Sequence, residues 1–246
     1  MQIIPAFVTQ NKCYQAGAPL TPRGIMLHSV GTPQPSAAVF ARSFNQYQPG
    51  GVSVCVHAFA QADGTVYQTL PWEMRGWHCG GSANSTHIGV EMTEPSAGMT
   101  RSEAAEQIAG TYRTVVELFA ELCKQYELDP AQDGVLIGHA EGHRRGAASN
   151  HADPELLWRT YDMGYTMDGF RRDVAEAMAK EDREEVPDMP RYDSVAEMPQ
   201  WARADAQRLI DHGALQGNTD GKLDVSEDML RTMIVCQRMV DEQKET

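Results

Sequence analysis

Seven of the eight histidines lie before residue 152, and two of them close apolar runs: Gly24-Ile25-Met26-Leu27-His28 and Val135-Leu136-Ile137-Gly138-His139. Beyond the second run come Glu141, His143, Asn150, His151 and Asp153, the last opening Asp153-Pro154-Glu155. Two imidazoles and a carboxylate delivered from strand ends and a loop are the donor set of a catalytic zinc site, in which three protein ligands leave a fourth position for water. Such a site brings the pKa of its water to about 7 and polarises a carbonyl. The chemistry to expect is attack of water on a carbonyl carbon.

Each of these residues also has a plainer reading. His28 and His139 are metal ligands or partly buried histidines bonded to a neighbour. Asp153 is a ligand, the N-cap of a helix opening at Pro154, or both, since a ligand at a helix start is held rigidly. His143 stands four residues after His139, which would put both on one helical face. Gly142 and Gly146 argue against a helix there and place His143 beside the site, but it stays a rival second ligand. Glu91 shares a strand face with His87 and Gly89; it is an exposed surface carboxylate, or the group that deprotonates or orients the attacking water. His151 is a solvated loop histidine or a donor to the oxyanion formed by that attack. Trp77-His78, between Gly76 and Gly80, has the make-up of a binding loop, with an aromatic ring to stack on sugar and glycines that let backbone approach a ligand. With His87 and Asn150 it completes the candidate substrate-binding set.

The elements that must carry these residues alternate in type over the first ~160 positions, which favours an α/β domain. Residues 52–60 alternate as a strand, with Val52, Val54, Val56 and Ala58 on one side. Ala62-Asp63-Gly64-Thr65 turns that strand into Val66-Tyr67-Gln68 as a hairpin. Residues 71–86 read as a surface loop, and 87–92 as a short strand. Thr100-Arg101-Ser102-Glu103 is a capping-box pattern, followed by Ile108, Tyr112, Val115, Phe119, Leu122 and Tyr126 at helical spacing. Asp129-Pro130 ends that helix, and Glu155 to Tyr161 forms a short one behind Pro154.

From residue 180 the chain turns to charge and proline, which marks a linker over 179–192 between a domain at 1–178 and a small helical one at 193–246. In the latter, Ser194 to Glu197 repeats the capping-box pattern ahead of Trp201, Leu209 and Ile210. Gly213 ends that helix, Asn218-Thr219-Asp220-Gly221 is a turn, and Ser226 caps a last helix. A core of this size is marginal and leans on a partner or on a second copy of the chain.

Composition narrows the partners. A net charge of −13 over 246 residues argues against a nucleic-acid backbone and against simple electrostatic capture by an anionic wall. No apolar stretch approaches the ~20 residues of a membrane helix, and the start lacks the charged and apolar regions of a signal peptide. Five scattered cysteines suit a reducing compartment better than a disulfide framework. Cys55 or Cys79 paired with a histidine would make a thiol peptidase, yet neither opens a helix that would stabilise a thiolate.

Several stretches together resemble the type 2 N-acetylmuramoyl-L-alanine amidases, zinc enzymes related to the peptidoglycan recognition proteins. They are Gly24 to Ser29, Asp63 to Gln68, Trp77-His78-Cys79-Gly80, Ile88 to Glu91, Gly138-His139, and Ala147 to Pro154. The form His139-Ala140-Glu141-Gly142 with Ala148-Ser149-Asn150-His151-Ala152-Asp153-Pro154 looks like phage and prophage endolysins of Clostridia-like bacteria. The resemblance implies an α/β fold, a mixed central sheet flanked by helices, with Zn²⁺ at one end on His28, His139 and Asp153. It implies Glu91 as catalytic carboxylate and His151 where many members carry lysine. It implies peptidoglycan as substrate, cut between N-acetylmuramic acid and L-alanine; the absent signal peptide fits a protein that is cytoplasmic until lysis and then acts on the cell wall. A cytosolic muropeptide-recycling amidase and a non-catalytic peptidoglycan-binding protein are the alternatives. The tail is similar to those of such endolysins and to half of an S-layer-homology module, so wall binding and self-association are both open.

Overall fold

The computed structural model describes residues 1–46, 54–184 and 190–244, and the chain forms two compact units, Met1–Glu181 and Asp182–Thr246. The first unit runs β1 (Gln2–Pro5), α1 (Lys12–Ala16), β2 (Gly24–Ser29), α2 (Ala37–Phe44), β3 (Ala58–Ala60), β4 (Thr65–Gln68), β5 (His87–Met92), α3 (Arg101–Gln125), β6 (Leu136–Gly138), α4 (His139–Arg144), α5 (Glu155–Thr160) and α6 (Met167–Glu184). The sheet order is β1-β4-β3-β5-β2-β6. Only β3 and β4 pair antiparallel; the other four pairings are parallel. This is the mixed α/β sheet with helical flanks that the sequence implies.

The register places the chemistry. Along β2 and β5, Ile25 pairs with Ile88 and Leu27 with Val90, while Met26 pairs with Gly89 and His28 with Glu91. The first set packs into the core with Ile108, Val115 and Phe119 of α3 and with Phe170 and Val174 of α6. The second set looks out on the opposite face. Strands covered on both faces are apolar throughout, and a charged residue on one of them stands out. The capping box forms at the start of α3, with Thr100 Oγ1 accepting from the Glu103 amide and the Glu103 carboxylate accepting from the Thr100 amide at 2.8 Å.

Three readings need correction. Of the strand expected over 52–60, positions 52 and 53 lie outside the described residues and only Ala58–Ala60 is strand; Val54 is 46% exposed while Val56 is buried, so they share no face. The stretch after His139 is helical in spite of Gly142. A Cβ on Gly142 would come within 2.8 Å of Met26 Cε and 3.1 Å of Ala148 Cβ, so this glycine lets α4 pack closely and does not break it. Finally, α6 continues to Glu184, well into the expected linker.

The second unit holds β7 (Arg191–Tyr192), α7 (Gln200–Asp211), β8 (Val225–Ser226) and α8 (Glu227–Lys244). Met198, Ala202, Ala206, Leu209, Leu230 and Ile234 are among its core residues. Ser194 does bond Glu197, at 3.1 Å, but this closes a turn, and α7 starts only at Gln200 after Pro199. Gly213, at φ +70°, follows α7, and Ser226 Oγ accepts from the Met229 amide. Among the described residues no helix is long and apolar enough to cross a membrane.

Candidate metal and catalytic site

His28 is the next-to-last residue of β2, His139 the first of α4, and Asp153 immediately precedes Pro154 and α5. The fold brings them together across 125 residues. His28 Nδ1 lies 3.2 Å from Asp153 Oδ2 and 3.0 Å from His139 Nδ1, and His139 Nδ1 lies 3.6 Å from Asp153 Oδ1. All three offer donor atoms within 4.8 Å of one another. Burial opposes the charge on His28, but its bond to Asp153 and the charges of Glu91 and Asp153 outweigh burial and raise its pKa. Burial likewise opposes ionisation of Asp153, and the bond to His28 with the charge of both histidines still holds its carboxyl below the usual range. His139 is pushed down to about 4 by burial and by the neighbouring His28.

These residues fit a divalent cation. Ser149 Oγ donates to the Cys79 carbonyl at 3.0 Å, and a carbonyl only accepts. The Ser149 oxygen is therefore left to accept the Nε2 proton of His139, 3.2 Å away. That fixes the neutral His139 with a bare Nδ1 aimed at His28 Nδ1 and the Asp153 carboxylate. Lone pairs and a carboxylate converging at 3.0–3.6 Å need a cation, or a shared proton in its place. Ligand imidazoles whose second nitrogen is tied down are the usual outer layer of a zinc site.

The group opens into a cleft of about 830 Å³ lined by Trp77, Glu91, Glu94, His151, Leu156 and Tyr161 among others. Glu91 Oε2 is buried without a hydrogen-bond partner. Burial, with the charges of Asp153 and Glu94 against the opposing pull of His28, pushes its pKa up to about 7. His151 is 62% exposed, its Nδ1 4.0 Å from Asp153 Oδ1. Its ring lies flat on that of His139, centroids 4.6 Å apart.

Residues 18–156 match the Amidase_2 family, N-acetylmuramoyl-L-alanine amidase. The chain belongs to that family. Among solved structures, the Staphylococcus aureus hydrolase AmiA in complex with its ligand is similar, at TM-score 0.58 and 19% identity over 76% of this chain and 88% of that one. So are PlyL, at 0.53 and 18% over 71% and 97%, and the catalytic domain of XlyA, at 0.51 and 22% over 71% and 99%. At these identities the likeness is one of fold. No curated protein matches the chain.

Within this amidase, three residues expected in the binding groove sit differently from the sequence reading, and the rival second ligand stays outside the donor group. His143 is exposed and its Nδ1 faces the Ala148 carbonyl at 3.4 Å, outside the group of donors. His87, expected in the binding groove, lies at the other end of β5; its ring bonds the Gly134 carbonyl at 3.0 Å and Thr86 Oγ1 at 2.8 Å. Asn150 is exposed and is not among the residues lining the cleft. His78 reaches the cleft edge, but both its nitrogens are engaged inside the protein. The cysteines of the peptidase alternative are buried thiols with raised pKa: Cys55 through its bond to Cys13 and burial, Cys79 through burial. Neither is a thiolate nucleophile.

The structure also adds residues to the amidase site that the sequence reading passed over. Ser149 holds His139, as above. The Asn84 side-chain carbonyl accepts from the amides of His78 and Cys79 at 2.9 and 3.0 Å, fixing the loop of Trp77. Gly89 leaves the space that the His78 ring fills, since a Cβ there would stand 2.5 Å from His78 Cγ. A glycine inside a strand marks such a close approach, and that signal was present in the sequence.

Proposed function

We propose that the chain is a zinc-dependent amidase that hydrolyses the bond between the lactyl group of N-acetylmuramic acid and L-alanine in bacterial peptidoglycan. The observation that carries this reading is the convergence of His28 Nδ1, His139 Nδ1 and the Asp153 carboxylate at the floor of the cleft, in a chain whose family is the N-acetylmuramoyl-L-alanine amidases. Zinc held by these residues would supply a Lewis acid for the scissile carbonyl and acidify water beside it. Glu91, register partner of His28 on the neighbouring strand, takes a proton from the attacking water and returns it to the alanine nitrogen as the amide bond breaks. A side chain with pKa about 7 is matched to both halves of that exchange. His151, at the rim, donates to the oxyanion when protonated. Trp77 gives the cleft an aromatic wall for the sugar.

The biological role we infer is that of a phage or prophage endolysin, with the second unit as a wall-binding or self-associating appendage. Mass spectrometry of purified peptidoglycan after digestion, with and without a zinc chelator, tests the reaction. Free stem peptides beginning with L-alanine beside intact glycan, lost on chelation, are the expected products. Intact walls together with cleaved soluble muropeptides would point to recycling, and no cleavage of either despite bound zinc would leave a binding protein.

A further inference from the structure

His78 is a half-buried imidazole with a partner at each nitrogen. Nε2 lies 3.1 Å from the carbonyl oxygen of His87, and Nδ1 lies 2.9 Å from Nε2 of His28. The rings of His28 and His78 meet edge to face at 79°, centroids 5.1 Å apart. A backbone carbonyl has no proton to give, so the contact to His87 requires the His78 proton on Nε2. A neutral imidazole carries one proton, so Nδ1 of His78 is a bare acceptor. The only proton that can fill the contact to His28 is the one on His28 Nε2. His28 therefore keeps its Nε2 proton, and the nitrogen it can bare is Nδ1, the one facing Asp153 and His139.

The geometry points to His78 as a positioning residue: the His87 carbonyl holds its proton on Nε2, and through the bare Nδ1 so left His78 locks His28 in the tautomer whose Nδ1 is free to ligate a cation. Three features of the chain serve this arrangement. Gly89 is the β5 residue beneath the His78 ring, and any Cβ there would displace the ring. Gly76 leaves similar room, since a Cβ on it would stand 3.0 Å from His78 Cδ2. Asn84 ties down the His78 amide, so the backbone carrying the ring is fixed as well as the ring. Ser149 does for His139 what His78 does for His28, and both chains of bonds end on backbone carbonyls, of His87 and Cys79. The two ligand tautomers are thus set by main chain, which no titration alters.

This inference rests on the zinc reading above, and its test separates the two. Long-range ¹H–¹⁵N spectra of the zinc-loaded protein read the protonated nitrogen of each histidine directly. We expect His78 with its proton on Nε2 and His28 with a proton on Nε2. A His78 proton on Nδ1 in protein that binds zinc overturns the positioning role and leaves the zinc reading intact; failure of the wild type to bind zinc overturns both. Chelator competition supplies the second readout. His78→Leu removes the acceptor and is expected to weaken zinc ~10–100-fold, the usual loss for an outer-layer partner. His78→Asn places Oδ1 where Nδ1 stood and is expected to recover most of that loss. Should the leucine variant bind zinc as wild type does, the role fails. If the leucine variant does not fold, the tautomer spectrum of the wild type still decides.

Discussion

The two ends of β5 each carry a titratable side chain pointing to the same face of the sheet, and they are satisfied in opposite ways. At the first residue, His87 has both ring nitrogens bonded, to Gly134 and Thr86. At the fifth, Glu91 keeps a buried oxygen without a hydrogen-bond partner. A buried polar atom left unpaired costs about 1–3 kcal/mol, and native proteins carry few of them. The satisfied end is what stability alone would build; the unsatisfied end fits the base proposed for Glu91. Residue type alone does not separate them, since histidine and glutamate both serve as catalytic acids and bases.

Substitutions can break that contrast. Glu91→Gln keeps the shape and removes the base, so kcat on peptidoglycan is expected to fall ~10²–10⁴-fold with the fold intact by circular dichroism. A Glu91→Gln variant retaining most of its activity would make the unpaired oxygen incidental. The pH profile sharpens the same point. A base must be ionised, so activity limited by Glu91 is lost as pH falls through about 7, close to tenfold per unit below it. The stability effect runs the other way: the folded pKa of about 7 stands above the ordinary glutamate value of 4.5, so ionising Glu91 costs stability as pH rises between them. Glu91→Gln should accordingly raise the melting temperature of metal-free protein more at pH 8 than at pH 5.

His87→Leu is the converse experiment. It leaves the Gly134 carbonyl without its donor and is expected to lower unfolding free energy by about 1–3 kcal/mol, read by urea denaturation, with turnover per folded molecule unchanged. Loss of turnover at full stability would return His87 to the binding groove. The smallest effect belongs to His143, whose ring is exposed: His143→Ala is expected to shift stability by no more than about 0.5 kcal/mol and to leave zinc affinity unaltered in chelator competition. A weakened affinity would mean that α4 can offer its second histidine to the metal.

The parts of this molecule that were legible in the sequence are those where a local signal and the tertiary environment agree. The strand ending in His28, the strand carrying Glu91 and the capped helix from Arg101 all announce themselves by period and cap, and each packs as its period requires. Where a residue's reason lies elsewhere in the chain, the local signal misleads. Gly142 resembles a helix breaker, yet its meaning is the methyl of Met26 on a strand more than a hundred residues earlier. The charged run after Lys180 resembles a linker, and its first residues simply extend α6. His28, His139 and Asp153 stood out as a candidate donor set because metal chemistry restricts residue types, and the fold brings their donor atoms within 4.8 Å of one another. The partners behind them did not stand out, because Ser149, Asn84 and the His87 carbonyl are ordinary groups made specific only by distance.

β2 is hydrogen-bonded along both sides, to β5 and β6, whereas Asp153 and His151 sit on irregular chain between α4 and α5. Amide exchange should divide the site accordingly. The backbone around His28 and Glu91 belongs with the last protons to exchange, released only by global opening, and residues 145–153 with those released by local fluctuation. A cation bridging the two would then tether the faster half to the slower. Its arrival would be recorded less as a change of shape than as a slowing of exchange confined to one short loop.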